Sequence, residues 1–153
     1  MAVVVGCSEY HNVKNADGNR KFDDMPEAVD EAQFMIEQLK GFNYEVLSLI
    51  NPSRIEMNEL FDKKLKGIIK AGIKAKERTL VHFYYTGHGK MKEQTIAVLN
   101  EEDQKKSHFP IERKMRTFAL FEYTCVYALL DCCREPFSKE ENAPITKVVS
   151  RPN

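Results

Sequence analysis

A chain of 153 residues is long enough to bury a sizeable core as one domain, and its 42% hydrophobic and 30% charged residues are ordinary for a soluble globular protein. Its 23 basic residues are balanced by 23 acidic ones, which argues against the basic surface from which a dedicated nucleic-acid or anionic-membrane binder draws its affinity. No apolar run approaches the roughly 20 residues of a membrane-spanning helix, and Met1-Ala2-Val3-Val4-Val5-Gly6 lacks the basic region of a secretory leader. The four cysteines, Cys7, Cys125, Cys132 and Cys133, are therefore expected as reduced thiols in a cytoplasmic protein.

Two periodicities alternate along the chain. Residues 2–6 are a continuous apolar run ending in glycine, the pattern of a buried parallel strand. Residues 11–24 are polar, carry a turn signal at Asp17-Gly18, and read as a long loop. Pro26 suits the first turn of a helix, with Asp24 as its candidate cap. Val29, Ala32, Ile36 and Leu39 share one face of that helix, and Gly41 is its expected stop. A second strand is expected over 44–50. Asn51-Pro52-Ser53 breaks it, and Ser53 with Glu56 has the spacing of a capping box. Leu60, Phe61, Leu65, Ile68 and Ile69 then form the apolar side of a basic helix. A third strand covers 79–86, followed by a tight loop at Gly87-His88-Gly89 and a short strand at 95–99. Residues 101–108 read as a solvated turn, and 110–123 as a helix with Phe118 and Phe121 apolar. A fourth strand at 124–130 enters Asp131-Cys132-Cys133-Arg134-Glu135. This order predicts an α/β fold with a mostly parallel sheet covered by helices on both faces. Residues 1–135 form the domain, and 136–153 an extended or mobile tail.

In such a sheet, sites collect at the carboxyl ends of the strands. His88 lies just past the third strand, between two glycines, and Cys133 just past the fourth. Neighbouring strands sit about 4.8 Å apart, so adjacent third and fourth strands bring the two side chains toward one substrate atom. That pairing suits acyl transfer, in which a thiolate attacks and an imidazole within hydrogen-bond reach manages the proton. Gly89 allows its N–H, with that of Cys133, to form an oxyanion hole. The plainer reading of Cys133 is a buried structural thiol. Cys132 reads as its core neighbour, Cys7 as a core residue, and His82 as a packed or surface histidine of its strand. No paired Cys or Cys/His spacing suits zinc, so no metal is expected.

The motifs carry a family resemblance. Phe83-Tyr84-Tyr85-Thr86-Gly87-His88-Gly89 resembles the histidine motif of the caspase, metacaspase and paracaspase clan of cysteine peptidases. Leu129-Leu130-Asp131-Cys132-Cys133-Arg134 resembles its nucleophile motif, closest to the paracaspase form. The Asp-x-Cys of metacaspases and paracaspases and the Cys-Arg of caspases and paracaspases both point to Cys133. His88 and Cys133 are 45 residues apart, near the roughly 50 of caspases. Val29-Asp30-Glu31-Ala32 is similar to the clan's first helix, and the resemblance runs from about Val3 to Glu135. It implies a caspase-like three-layer sandwich and an endopeptidase with Cys133 as nucleophile and His88 as base and acid. It also implies that Asp30 and Asp131 line the pocket for the residue before the scissile bond. Two carboxylates there select Arg or Lys, where caspases select Asp through arginines. Each acid also has a plainer reading, Asp131 as a turn cap and Asp30 as a first-turn acid favoured by the helix dipole. Arg20 is a candidate for the arginine of the caspase early loop. The run Glu101-Glu102-Asp103 raises a calcium reading because metacaspases of plants and protists often need that ion. It lacks an EF-hand pattern, and no cofactor is expected.

The clan's domain continues for about another hundred residues past the nucleophile, the scale of a half-domain, whereas this sequence ends at Asn153. The sheet is therefore expected to lack the small-subunit half and to leave a bare edge beyond the fourth strand. A protein partner or a second copy would complete that edge, alongside the peptide or protein substrate. The alternative function is a non-catalytic caspase-like module that docks in a larger assembly. A flavodoxin-like or Rossmann binder fits the strand–helix order, but Gly6-Cys7-Ser8-Glu9 is no Gly-rich phosphate loop.

Overall fold

A computed structural model describes residues 1–15, 17–91, 93–133 and 135–136, without the side chains of 104, 105, 135 and 136. Four strands, β1 (Ala2–Gly6), β2 (Val46–Ile50), β3 (Thr79–Thr86) and β7 (Thr124–Asp131), form a parallel sheet in the order β2-β1-β3-β7. The first and third are near-continuous apolar runs, and β1 is buried on both faces as a central parallel strand must be.

Helix α1 (Glu27–Gly41) covers one face, burying Ala28, Ala32 and Leu39 over Ala2, Val4 and Tyr84. The opposite face packs Val3, Val5, Phe83 and Tyr85 beneath a long helical segment and α5 (Ile111–Ala119), which buries Ile111, Met115 and Phe118 at i, i+4, i+7 spacing. The long segment runs α2 (Arg54–Glu59), a π-helical stretch Leu60–Leu65, then α3 (Lys66–Ala75). In the π stretch the i→i+5 bonding puts Leu60 and Leu65 on one side, so both are buried with Phe61.

A smaller sheet stands at the carboxyl end of the first. Its strands are β4 (Gly89–Met91), β5 (Thr95–Val98), β6 (His108–Phe109) and β8 (Glu135–Pro136), in the order β6-β5-β4-β8. Strand β4 is antiparallel to β5 and parallel to β8.

Several local expectations are corrected. Asp24 does not cap α1, whose N-cap is Pro26 without a side-chain cap bond. The Asp24 carboxylate instead accepts the Tyr10 N–H at 2.8 Å and pairs with Arg20, which occupies that arginine within its own loop. Gly41 is the last residue of α1 and not its stop; the chain turns at Asn43, with φ 60°. The solvated turn expected at 101–108 includes a short helix, α4 (Gln104–Ser107), and β6. The helix expected over 110–123 is Ile111–Ala119, ending before Phe121. Helices lie on both faces as expected, but they leave part of β7 uncovered. Helix α1 packs on β1, β2 and β3, while Tyr127 and Leu129 of β7 remain 55% and 42% exposed on the α1 side of the sheet. Of the expected tail, Pro136 pairs within β8, and 137–153 lie outside the described residues.

Candidate active site

The two sheets meet at a pair of side-by-side junctions. The last registered pair between β3 and β7 is Thr86 with Asp131, and the first between β4 and β8 is Lys90 with Glu135. Both strands cross the gap in the same number of residues, and His88 and Cys133 are the middle ones. Register thus places an imidazole opposite a thiol before any side-chain detail is considered. The Cys133 Sγ lies 3.6 Å from His88 Nδ1.

The imidazole is held from several sides. Its Nε2 lies 3.0 Å from the Asp23 carbonyl oxygen. A carbonyl only accepts, so in the neutral ring Nε2 carries the proton and Nδ1 turns its lone pair toward the sulfur. The Tyr10 ring meets the imidazole edge-on at 4.6 Å, and Phe22 packs at 4.8 Å between centroids. The loop that brings Tyr10, Phe22 and Asp23 here is pinned at its start, where Asn51 Oδ1 accepts the Ser8 N–H at 2.7 Å and the Glu9 N–H at 3.2 Å.

The flanking glycines are required by close approach. Gly87 has φ +141°, and a Cβ there would stand 2.5 Å from the Tyr10 hydroxyl. A Cβ on Gly89 would stand 2.6 Å from both the Cys132 sulfur and the Cys133 carbonyl oxygen. The Gly89 backbone therefore lies against the Cys132-Cys133 segment, with its carbonyl oxygen 3.7 Å from Cys133 Sγ. Cys133 is exposed, whereas Cys132 is half-buried against the main core. Cys7 is fully buried, and burial pushes its thiol up to about 12.

Negative charge gathers beside this pair. The exposed Asp131 carboxylate accepts the Tyr84 hydroxyl at 3.2 Å, and Glu31 on α1 accepts the Thr86 hydroxyl at 2.7 Å. Burial, then the Asp131 and Glu31 charges, push the Tyr84 hydroxyl up to about 12. Asp30 is exposed in the first turn of α1, and its neighbour Glu31 is the acid that reaches the end of β3.

Of the residues singled out in the sequence, His88, Cys133 and Gly89 come together; Asp131 ends β7 two residues before Cys133 and is bonded to Tyr84, and Asp30 makes no contact with the pair. Tyr10, Phe22, Asp23 and Glu31, and Tyr85, whose hydroxyl donates to the His88 carbonyl at 2.7 Å, reach the site without having been singled out for a role by motif or spacing. One signal was available: Tyr10 and Phe22 are the two Phe or Tyr residues of a mostly polar stretch, a pattern that asks what they pack against. His82 is packed edge-on against Tyr44 and Tyr127. Glu101 is drawn off the acidic run to accept the Arg54 N–H at 2.7 Å. Among the described residues no three His, Cys, Asp or Glu side chains are grouped to hold a metal ion, and no helix is long and apolar enough to cross a membrane.

The sequence pattern of the Peptidase_C14 family, the caspase domain, matches residues 1–151. No curated protein matches the chain.

Proposed function

This chain belongs to the caspase family of cysteine peptidases, and on that premise we propose that it is an endopeptidase cleaving peptide bonds after Arg or Lys. The observation that carries the reading is Cys133 Sγ at 3.6 Å from His88 Nδ1, with the opposite ring nitrogen at 3.0 Å from a backbone carbonyl. Proton transfer from Cys133 to His88 gives a thiolate that attacks the scissile carbonyl carbon. The resulting oxyanion is met by the N–H groups of Gly89 and Cys133; such donors are worth about 10²–10³ in rate in known hydrolases. The imidazolium then protonates the departing amine as the C–N bond breaks. Water, deprotonated by the neutral imidazole, hydrolyses the thioester and returns the thiol.

Selection of a basic residue is supported by the acids at the ends of β7 and β3, Asp131 and Glu31, with Asp30 next to Glu31 in the chain. Asp131 projects from the end of β7 and Asp30 from the first turn of α1, and a guanidinium is the group best matched to carboxylates at such a site. We expect peptides with Arg or Lys before the scissile bond to be cleaved and an otherwise identical Asp peptide not. Asp131→Asn should lower kcat/KM for the Arg peptide about 10- to 100-fold, the worth of one hydrogen bond to a charged group, roughly 1.5–3 kcal/mol. Preference for the Asp peptide would refute the specificity; no cleavage of any peptide would leave the docking-module reading in its place.

That second reading has one observation in its favour. The outer edge of β7 has no strand partner among the described residues, and Tyr127 and Leu129 are exposed along it. An unpaired edge with apolar side chains is a surface for strand addition, and the peptidase reading also uses it, as the seat of a partner chain or second copy that completes the sheet.

A further inference from the structure

Both backbone polar groups of His88 are bonded to buried tyrosine hydroxyls. The His88 N–H donates to the Tyr10 hydroxyl at 2.8 Å, and that hydroxyl donates to the Cys7 carbonyl at 2.7 Å. The Tyr85 hydroxyl donates to the His88 carbonyl at 2.7 Å, which also accepts the Val98 N–H at 3.0 Å. Both tyrosines are fully buried. Phenylalanine would fill the same space, and a buried hydroxyl costs free energy unless it is bonded. Here each hydroxyl is bonded to the one residue whose side chain faces Cys133.

We propose that Tyr10 and Tyr85 are positioning residues that set the imidazole of His88 against Cys133. The proposal rests on the reading of these two residues as base and nucleophile. Fixing the N–H and the C=O of one residue restrains the two dihedrals between them, and the direction of its Cα–Cβ bond follows. Tyr10 adds a second restraint, because its ring lies edge-on to the imidazole. Asp23 orients the ring from outside, but through a carbonyl in a long loop; the tyrosines act from the core.

The cradle does not itself titrate near neutral pH. Burial pushes both hydroxyls well above the ordinary phenol range, and the Cys7 thiol beneath them up to about 12. The remaining charged or titratable groups nearby are the Cys132 thiol, Asp131 and Glu31 at the strand ends, the Arg20–Asp24 pair, and Lys21 and Lys90 over the Phe22 ring. None of these differs between wild type and a Tyr→Phe variant, so a changed pH profile reports the His88–Cys133 pair.

The test is the alkylation rate of each cysteine by iodoacetamide across the neutral pH range, read by peptide mass in the full chain. This small uncharged probe needs no specificity pocket. His88→Ala should slow Cys133. Tyr10→Phe and, independently, Tyr85→Phe should slow Cys133 about 10- to 100-fold, within the roughly 10² that a misplacement of about 1 Å costs. Their pH profiles should move onto that of His88→Ala. Exposed Cys125 should keep its rate and buried Cys7 its protection, since both report the fold and not the pair. Wild-type behaviour of Cys133 in both variants, with His88→Ala slowed, overturns the proposal alone. Slowing of Cys133 only together with exposure of Cys7 overturns it too, since the tyrosines would then only hold the fold. If His88→Ala leaves Cys133 unchanged, the underlying reading fails and the proposal with it.

Discussion

Cys132 and Cys133 are chemically identical neighbours that the fold separates into different environments. Cys132 turns into the core, under Gly89, while Cys133 is exposed and faces His88 Nδ1. The two histidines of β3 and its junction divide in the same way. His82 is wedged between Tyr44 and Tyr127, and burial, then the nearby N-terminal amine, hold its imidazole below the usual value. Below about pH 6.5 the unfolded chain therefore takes up a proton at this site more readily than the folded one. Stability contributed here is fully present above that value and falls as the pH drops through it. The thermal midpoint of wild type should fall between about pH 7.5 and about pH 5.5, and His82→Gln should reduce that fall. An equal fall in both proteins would show that His82 is not the group responsible.

At the scale of elements, what was legible in the sequence follows from what each element buries. Strands β1 and β3 are dense apolar runs because the middle of a parallel sheet is covered from two sides. The capping box at Ser53 forms as its spacing predicts, with the Glu56 carboxylate accepting the Ser53 N–H at 2.8 Å. The π-helical stretch was not legible, because Leu60, Phe61 and Leu65 are compatible with an ordinary helix face and only packing decides the extra residue. Strands β4, β6 and β8 are too short for a two-residue period to register. In the site, Gly87-His88-Gly89 was legible because its neighbours leave no room for a Cβ. Tyr10, Phe22 and Asp23 were not, because a loop has no periodicity to say where its side chains go. Phe61 joins the π-helical stretch to the sheet and α5 through contacts with Phe83, Phe109 and Phe118. Phe61→Ala should cost about 3–5 kcal/mol of stability, as buried aromatic truncations do, measured by urea unfolding. A loss below about 1 kcal/mol would mean that the helical segment repacks freely over the sheet.

At the scale of the molecule, one topological fact organises the site. Strands β3 and β7 are neighbours in the large sheet, and their continuations β4 and β8 are neighbours in the small one. The thiol and imidazole sit where the chain steps between them. Among the described residues the same topology leaves β7 at an open edge. If a partner or second copy seats there, wild type should show a mass that rises with concentration or a captured partner strand. Leu129→Lys should weaken that association by placing a charge on the seam while leaving the fold intact. Unchanged association in Leu129→Lys would move the interface elsewhere.

The proposed role of Cys133 is that of a nucleophile beside a pocket for Arg or Lys. It is tested most directly by incubating the full chain with an irreversible arginine-directed peptide inhibitor and reading intact mass for wild type, Cys133→Ala and Cys132→Ala. One adduct is expected on wild type and on Cys132→Ala, and none on Cys133→Ala. An adduct that survives in Cys133→Ala, or folded wild type that takes up none, would contradict it.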